Sequence, residues 1–283
     1  MVLALISNTA AIYAIVTLKM QKKSHSMKLI LFLFTLDMGV CLIAMPLHLT
    51  TLVAEHTCEI VSVVEFFAQT FGHLSAYTTG VIGYDRFFRM TYLNNYSRVI
   101  KPWMIYTVVS ITTSLSVAHG AAYAICVMHE WYKIGSTIGS VIDCFVFIFM
   151  IVPYGLLLRV IRKYRRATSN QHMLDSVDHS INKIALRIIV AVVFLYTPYV
   201  IITVVRQYPE MDRKMQEHQL ICVVLVMCYH LIYANSFVNS VIFLSVNSAC
   251  KRQLMNIFKK STRSNDKAKV ERGMKIELGD VRK

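Results

Sequence analysis

A single carboxylate, that of Asp37, lies in the middle of a long apolar stretch over residues 29–54. A carboxylate in such surroundings must be neutralised, hydrated or bound to a cation, because burial disfavours its charged form. Oxygen ligands around a carboxylate suit a small hard cation or a water cluster. The alternative is a purely structural hydrogen-bonded network. The polar residues of other apolar stretches that could serve Asp37 are Asn8, Ser75, Asn235, Ser236 and Asn239.

Adjacent opposite charges, Asp85 and Arg86, follow the end of another apolar stretch. Asp178 precedes a later stretch on the same side and could pair with Arg86. An exposed acid–base pair is common and contributes only about 0–1 kcal/mol. The charges alone are therefore a weak indication of a functional switch.

Two prolines, Pro153 and Pro198, lie inside apolar stretches. A proline removes one backbone hydrogen bond and kinks a helix. Each one therefore predicts either a hinge that a conformational switch can use or a static kink.

Seven apolar stretches position these residues, and a membrane crossing needs about 20 mostly apolar residues. Of all residues 55% are hydrophobic and 16% are charged, against roughly 25% charged in soluble domains. This composition excludes an ordinary soluble enzyme, a disordered chain or a collagen-like repeat. It predicts an all-α membrane protein with a seven-transmembrane bundle over 1–248. The stretches lie near 1–18, 29–54, 59–84, 104–128, 136–161, 182–206 and 219–245.

The basic residues predict the orientation of the bundle. A net charge of +14 would suggest nucleic-acid binding in a soluble protein, but Lys and Arg also concentrate in the cytoplasmic loops of membrane proteins. If the loops alternate and the first is inside, nearly all of the 30 Lys and Arg lie on that side. The exceptions are Lys133, Arg206, Arg213 and Lys214. We therefore expect an outer N-terminus, a cytoplasmic C-terminus and no nucleic-acid partner.

Ordered motifs recur in six of the seven stretches. They are Asn8, Asp37 with Pro46 nine residues later, Ser75 eleven residues before Arg86, GlyTyrAspArgPhe at 83–87, PheLeuTyrThrPro at 194–198 and AsnSerValIlePhe at 239–243. Together they resemble the rhodopsin-like G-protein-coupled receptors, whose boxes are Asp-Arg-Tyr, Cys-Trp-x-Pro and Asn-Pro-x-x-Tyr. The basic run at 250–260 resembles the family's short membrane-surface helix. We expect that amphipathic eighth helix over 249–260 and a flexible cytoplasmic tail over 261–283.

The resemblance implies a plasma-membrane receptor that binds an extracellular ligand and activates a heterotrimeric G protein, with arrestin as a further partner. In the family, the arginine that Arg86 matches pairs with acidic neighbours at rest and meets the G protein when active. Thr113, Ile161 and Phe243 replace an aromatic residue that is usual at each position, and the last two remove hydroxyl groups that help to hold the active state. The implied coupling and switch residues are Asp85, Arg86, Asp178, Asn239 and Phe243.

The resemblance also implies the binding sites. Tyr233 stands where opsins carry the retinal-binding Lys, and Ala68 stands where amine receptors carry an Asp, so neither ligand class has its standard anchor. Glu65, one turn outward, could partly replace that Asp as a cation acceptor. The implied ligand pocket consists of Glu65, Gln69, His73, Tyr196, Tyr199 and Tyr233. The implied sodium site, the one cofactor expected, consists of Asp37, Ser75, Asn235 and Asn239.

A disulfide from Cys58 to the second outer loop is implied as well, because the exterior is oxidising. Cys58 lies three residues before the family's usual position, and its partner is either Cys144, which we favour, or Cys126. No His/Cys cluster has the spacing of a metal site.

Two other function classes stay open. A transporter or channel, with Asp37 lining an ion path, would favour internal repeats and broken helices in both halves, which this sequence lacks. A non-signalling or decoy receptor is made plausible by Ile161 and Phe243. Nothing in the sequence resembles a catalytic constellation, so we do not expect an enzyme.

Overall fold

The computed structural model describes residues 1–23, 25–53, 57–92, 95–167, 178–208, 219–253 and 255–256. These residues are almost entirely helical and contain no β-strand. The helices are α1 (Val2–Thr17), α2 (Met20–Lys23), α3 (His25–Gly39), α4 (Met45–Val53), α5 (Cys58–Tyr92), α6 (Tyr96–Val99), α7 (Pro102–Met128), α8 (Tyr132–Ala167), α9 (Asp178–Val205) and α10 (Gln219–Val246). A π-helical turn, Val40–Ala44, joins α3 to α4 without a break in the helical path.

The helices have the apolar surface of a multi-pass membrane protein. Within the described residues, His25–Thr50, Pro102–Met128 and Tyr132–Lys163 are each long and apolar enough to cross a membrane. Val2–Thr17, Val193–Val205 and His230–Val246 are shorter apolar helices. Large apolar side chains are exposed along α7 to α9, which a soluble monomer would not tolerate over such an area. They include Trp103, Ile111, Leu115, Val141, Phe145 and Phe194.

Local chemistry explains where several helices begin and end. Pro102 occupies the start of α7, where its missing N–H is not needed. Lys19 and Glu130 have positive φ values of 52° and 60°, and such residues are common just after a helix end. Pro153 and Pro198 lie inside α8 and α9, as the sequence predicts. Helix α5 continues to Tyr92, well past the predicted span end at 84, because its last turns gain polar contacts described below.

Helix α5 lies at the centre of the bundle and contacts α3, α7 and α8. Its approach to α7 depends on Gly120, since a Cβ there would lie 2.8 Å from the backbone carbonyl oxygen of Phe66. Helices α5 and α8 run in the same direction, because Cys58 neighbours Tyr132 and Thr79 neighbours Tyr154. A residue of α5 therefore lies at about the same depth in the bundle as the residue of α8 whose number is about 75 higher.

The start of the predicted eighth helix is described, but most of it is not. Residues 248–253 are helical, whereas 254 and 257–283 lie outside the described residues, as does the predicted tail. Cys250 is fully buried, and its backbone N–H donates to Asn247 Oδ1 at 3.2 Å. Burial raises the pKa of the Cys250 thiol to about 11.

Candidate functional site

The six residues predicted to form a ligand pocket all line one cavity of about 70 Å³. The cavity lies between α4, α5, α8, α9 and α10, so residues far apart in the chain meet there. The six are Glu65, Gln69, His73, Tyr196, Tyr199 and Tyr233. Further lining residues are His48, Ala68, Gly72, Ala76, Asp143, Val146, Val200 and Ile232.

Asp143 is the acidic residue of this cavity that sequence reasoning missed. Its carboxylate lies 3.0 Å from His73 Nε2 and accepts a hydrogen bond of 3.0 Å from the Tyr199 hydroxyl. One carboxylate therefore ties α5, α8 and α9 together. The signal was present in the sequence, because Asp143 lies within the apolar stretch 136–161 and the argument made for Asp37 applies equally to it.

The hydrogen bonds of His73 define its protons. Its Nδ1 lies 2.8 Å from the backbone carbonyl oxygen of Gln69, and a carbonyl can only accept, so Nδ1 carries a hydrogen. The contact between Nε2 and Asp143 then holds one further proton, as an imidazolium–carboxylate pair or as a neutral imidazole and acid. Either way, the pair as a whole has no net charge.

Glu65 is the second acidic residue of the cavity. It accepts a hydrogen bond of 3.1 Å from Gln69 Nε2, one turn along α5. No Lys or Arg lines the cavity among the described residues. In the described part of the chain, the only nitrogen bases that line the cavity with Glu65 are thus the imidazoles of His48 and His73.

On the α4 side, the cavity is closed by a contact between two helices. Tyr233 OH lies 3.2 Å from His48 Nδ1, and His48 also stacks on His230 at 6.4 Å between ring centroids. His48 and Tyr233 also line a second, larger cavity of about 350 Å³ between α1, α4 and α10. Tyr196 is buried and lines the first cavity.

The structure gathers polar side chains around Asp37, which is fully buried. Ser75 Oγ donates to its carboxylate at 2.7 Å, and Asn239 Nδ2 donates at 3.3 Å. Asn235 and Asn8 are also buried, and within the described structure their side-chain oxygens have no hydrogen-bond partner. Carboxylate and amide oxygens are the kind of ligand that a small hard cation prefers. Asn8 Nδ2 donates instead to the carbonyl oxygen of Ser236, which joins α1 to α10.

The Asp85–Arg86 pairing suggested by adjacency is not what the structure shows. Asp85 accepts hydrogen bonds from Ser26 and from the Tyr96 hydroxyl, and Arg89 Nε lies 3.4 Å from its carboxylate. Residues four apart face the same side of a helix, whereas adjacent ones do not. Arg86 makes no ion pair with any described residue. Burial and the bond to the Asp85 carboxylate raise the pKa of Tyr96.

The partner proposed for Arg86 across the bundle cannot be placed. Asp178 is the first residue of α9, and its side chain lies outside the described part of the structure. The pairing with Arg86 therefore stays a prediction.

The predicted disulfide between Cys58 and Cys144 is wrong. Cys58, Cys126 and Cys144 are all free thiols. Asp143 pairs with His73, which lies about 22 Å further along α5 than Cys58 at 1.5 Å per residue. A disulfide joins Cα atoms at most about 7 Å apart, so Cys144 lies too deep to reach Cys58. Cys126 is at the C-terminal end of α7, where the Ser62 hydroxyl donates to the carbonyl oxygen of Ala124.

Ile161 and Phe243, which replace residues that carry a hydroxyl group in the family, both pack against apolar side chains. Phe243 is buried and meets Phe34 edge-on at 5.3 Å. Ile161 is buried with Leu157 and Tyr154. Tyr154 OH donates to the carbonyl oxygen of Thr79 at 3.1 Å, so a hydrogen bond joins α5 and α8 about two helical turns before Ile161.

No group of three or more His, Cys, Asp or Glu that could hold a metal ion occurs in the described residues.

The sequence model of the family described as "7 transmembrane receptor (rhodopsin family)" matches residues 7–243. The match spans most of α1 to the last turns of α10 and includes the residues that line the first cavity, the residues around Asp37 and the C-terminal end of α5. Comparison with curated proteins finds no match.

Proposed function

Because this chain belongs to the rhodopsin family of seven-transmembrane receptors, we propose that it is a plasma-membrane receptor that activates a heterotrimeric G protein. The observation that carries the proposal is the cavity itself. Residues of five helices meet there, and one of these helices, α5, continues from Glu65 to Arg86. At 1.5 Å per residue that distance is about 32 Å, roughly the thickness of the hydrocarbon core.

The proposed topology has seven crossings, an outer N-terminus and a cytoplasmic C-terminus, followed by the amphipathic helix over 249–260. Its support is the set of long helical segments in the described residues together with the placement of Lys and Arg. In this orientation the cavity opens toward the outside, because Cys58 at the start of α5 is the outer end and Tyr92 is the cytoplasmic end.

The proposed switch begins at the contacts that join the helices across the cavity. An extracellular ligand that binds between Asp143, His73 and Tyr199 changes how α5, α8 and α9 meet. Pro198 lies next to Tyr199 and inside α9, so a change at the cavity can be relayed through this kink. A ligand that binds the state with open cytoplasmic helix ends more tightly than the closed state shifts the equilibrium toward the open state. The size of that shift is set by the difference between its two affinities.

Arg86 is the residue proposed to meet the G protein, with Asp178 as its partner at rest and arrestin as a second cytoplasmic partner. Purified receptor in lipid nanodiscs should catalyse nucleotide exchange on at least one class of G protein. Arg86→Ala should abolish that exchange while the protein stays folded, and Asp178→Ala should raise the ligand-independent rate. Exchange by no G protein, with arrestin or ligand binding retained, would instead identify a non-signalling receptor.

A sodium ion is the proposed modulator of the resting state, held by Asp37, Ser75, Asn235 and Asn239. The support is the buried carboxylate and the unpartnered oxygen of Asn235. When bound, sodium supplies the positive charge that a buried carboxylate requires. The melting temperature of the wild type should rise with sodium compared with a bulky cation at constant ionic strength, and Asp37→Asn should lose that response. An equal response in the variant would leave Asp37 as a structural hydrogen-bonding group.

A further inference from the structure

Ser240 follows Asn239 in α10 and stands where the family's Asn-Pro-x-x-Tyr box has its proline. A serine keeps the backbone N–H that a proline lacks, and it adds a hydroxyl group. Helix α10 runs from Gln219 to Val246 with no proline inside it. The chain therefore has a hydrogen-bonding side chain at a position where a proline would bend the helix.

The Ser240 hydroxyl is used in a contact between α10 and α1. Its Oγ lies 2.7 Å from Ser7 Oγ and 2.9 Å from the carbonyl oxygen of Phe237. Ser7 Oγ in turn lies 3.2 Å from the carbonyl oxygen of Ala4. Because a hydroxyl group has a single hydrogen, the donors run either from Ser240 through Ser7 to Ala4 or from Ser7 through Ser240 to Phe237. Both arrangements contain the bond between the two serines.

A second contact on the next turn makes this junction of α1 and α10 well defined. The carbonyl oxygen of Ser236, one turn before Ser240, accepts a hydrogen bond of 3.0 Å from Asn8 Nδ2. Ser7 is 9% exposed and Ser240 is fully buried, so water does not replace their bond. Two consecutive turns of α10 are thus held by two adjacent residues of α1, which fixes both the rotation and the depth of α10.

The rotation of α10 also sets the position of Asn239. This residue donates to the Asp37 carboxylate at 3.3 Å, whereas Ser75 donates to it at 2.7 Å. A hydrogen bond that is already long is lost after a small further displacement. Since a helix rotates as a unit, a movement that separates Ser240 from Ser7 also displaces Asn239 from Asp37.

We propose that Ser7 and Ser240 are positioning residues of the switch, whose hydrogen bond holds α10 against α1 in the orientation that keeps Asn239 on Asp37. Loss of this bond favours a bundle in which the C-terminal half of α10 has moved away from α1. The effect on signalling rests on the proposed function, whereas the effect on the position of α10 does not.

A thiol of the chain itself reports the position of α10. Cys250 follows α10 and is fully buried, and its Sγ lies 3.7 Å from Met20 Sδ, shortly after the end of α1. Purified full-length receptor in lipid nanodiscs is treated with a maleimide, and the slow labelling of Cys250 is followed by mass spectrometry. Ser7→Ala and Ser240→Ala should each raise its rate about threefold, the factor that corresponds to an average hydrogen bond between transmembrane helices.

The double variant Ser7→Ala with Ser240→Ala separates a shared bond from two independent effects. Because both hydroxyl groups belong to one bond, the double variant should label no faster than either single variant. The matched control Ser114→Ala removes an exposed serine hydroxyl from α7 and should leave the rate unchanged. The inference is overturned if the single variants label as slowly as this control, or if the double variant shows the product of two separate effects.

Ligand-independent nucleotide exchange on G protein, measured on the same preparations, separates positioning of the switch from mere stabilisation. Exchange should rise about threefold in both single variants, by the same shift in equilibrium. A contact that only stabilised the fold would leave exchange unchanged or lower it, so faster labelling without a rise in exchange removes the two serines from the switch. Faster labelling in a receptor that, like its wild type, acts on no G protein supports the position of α10 and counts against the proposed function instead.

Discussion

Removal of the Asp143 carboxylate should destabilise the protein far more when its hydrogen bonds are lost than when only its charge is lost. The side chains of His73 and Asp143 are 8% and 11% exposed, so water cannot take over their contacts. Asp143→Ala removes the partner of His73 Nε2 and one hydrogen bond of the Tyr199 hydroxyl. The unsatisfied nitrogen of His73 costs about 1–3 kcal/mol and the lost hydrogen bond of Tyr199 about 1 kcal/mol, which predicts a loss of roughly 2–4 kcal/mol in the free energy of unfolding.

Asp143→Asn should be much milder, for a reason that follows from the geometry. Because Nδ1 of His73 donates to the Gln69 carbonyl, a neutral imidazole keeps Nε2 free to accept from the amide of the new asparagine. The asparagine oxygen can still accept from Tyr199. All three hydrogen bonds then persist, and only the charge-assisted strength is lost, about 1 kcal/mol.

The assay is thermal unfolding of the purified receptor, in which 1 kcal/mol corresponds to on the order of 2–4 °C for a chain of this size class. The control is Glu59→Ala on the exposed first turn of α5, which should change the melting temperature little. The double variant His73→Ala with Asp143→Ala should cost less than the sum of the two single variants, because the two residues share one contact. Additive losses, or an Asp143→Ala variant as stable as the control, would refute the buried pair.

Two further predictions concern packing and thiol reactivity. Gly120→Ala should lower the free energy of unfolding by about 1–3 kcal/mol, because the new methyl group forces α7 away from the carbonyl of Phe66. Gly155→Ala has nothing within 4 Å of its new methyl group and should raise the free energy of unfolding by up to about 1 kcal/mol through helix propensity. Equal melting temperatures for the two variants would contradict the close approach at Gly120. A maleimide at pH 7 should label the exposed thiol of Cys58 without prior reduction. It should not label Cys250, because burial makes that thiol inaccessible and raises its pKa to about 11. Mass spectrometry of the labelled peptides measures both, and rapid labelling of Cys250 would contradict its burial.

Much of the site could be predicted once the family resemblance had been stated. Membership of the rhodopsin family is confirmed by the match over 7–243, and the all-helical fold follows from the same apolar stretches. The six expected pocket residues line one cavity, and two of the five polar residues expected to serve Asp37, namely Ser75 and Asn239, donate to it. Motif order carried this information, because each motif marks a position along its own helix.

The contacts that sequence reasoning missed or misassigned depend on how helices are placed against each other. Asp143 and Cys144 are adjacent in α8, and the position of α8 along α5 places Asp143 against His73. That position also keeps Cys144 far from Cys58. Nothing in the sequence of either helix specifies that relative depth. The same holds for Asp85, whose partners Ser26 and Tyr96 come from other segments.

By itself, the sequence determined which stretches are apolar enough for a membrane and which side of it the basic residues favour. The physical reason is that transfer of a side chain into the bilayer depends on its own chemistry, and that chemistry can be read residue by residue. Only the tertiary structure decided which polar groups meet inside the bundle. Rotation and depth of each helix are set by packing at many contacts at once, such as the approach at Gly120. A buried charge such as Asp143 therefore acquires its partner only when all the helices are in place.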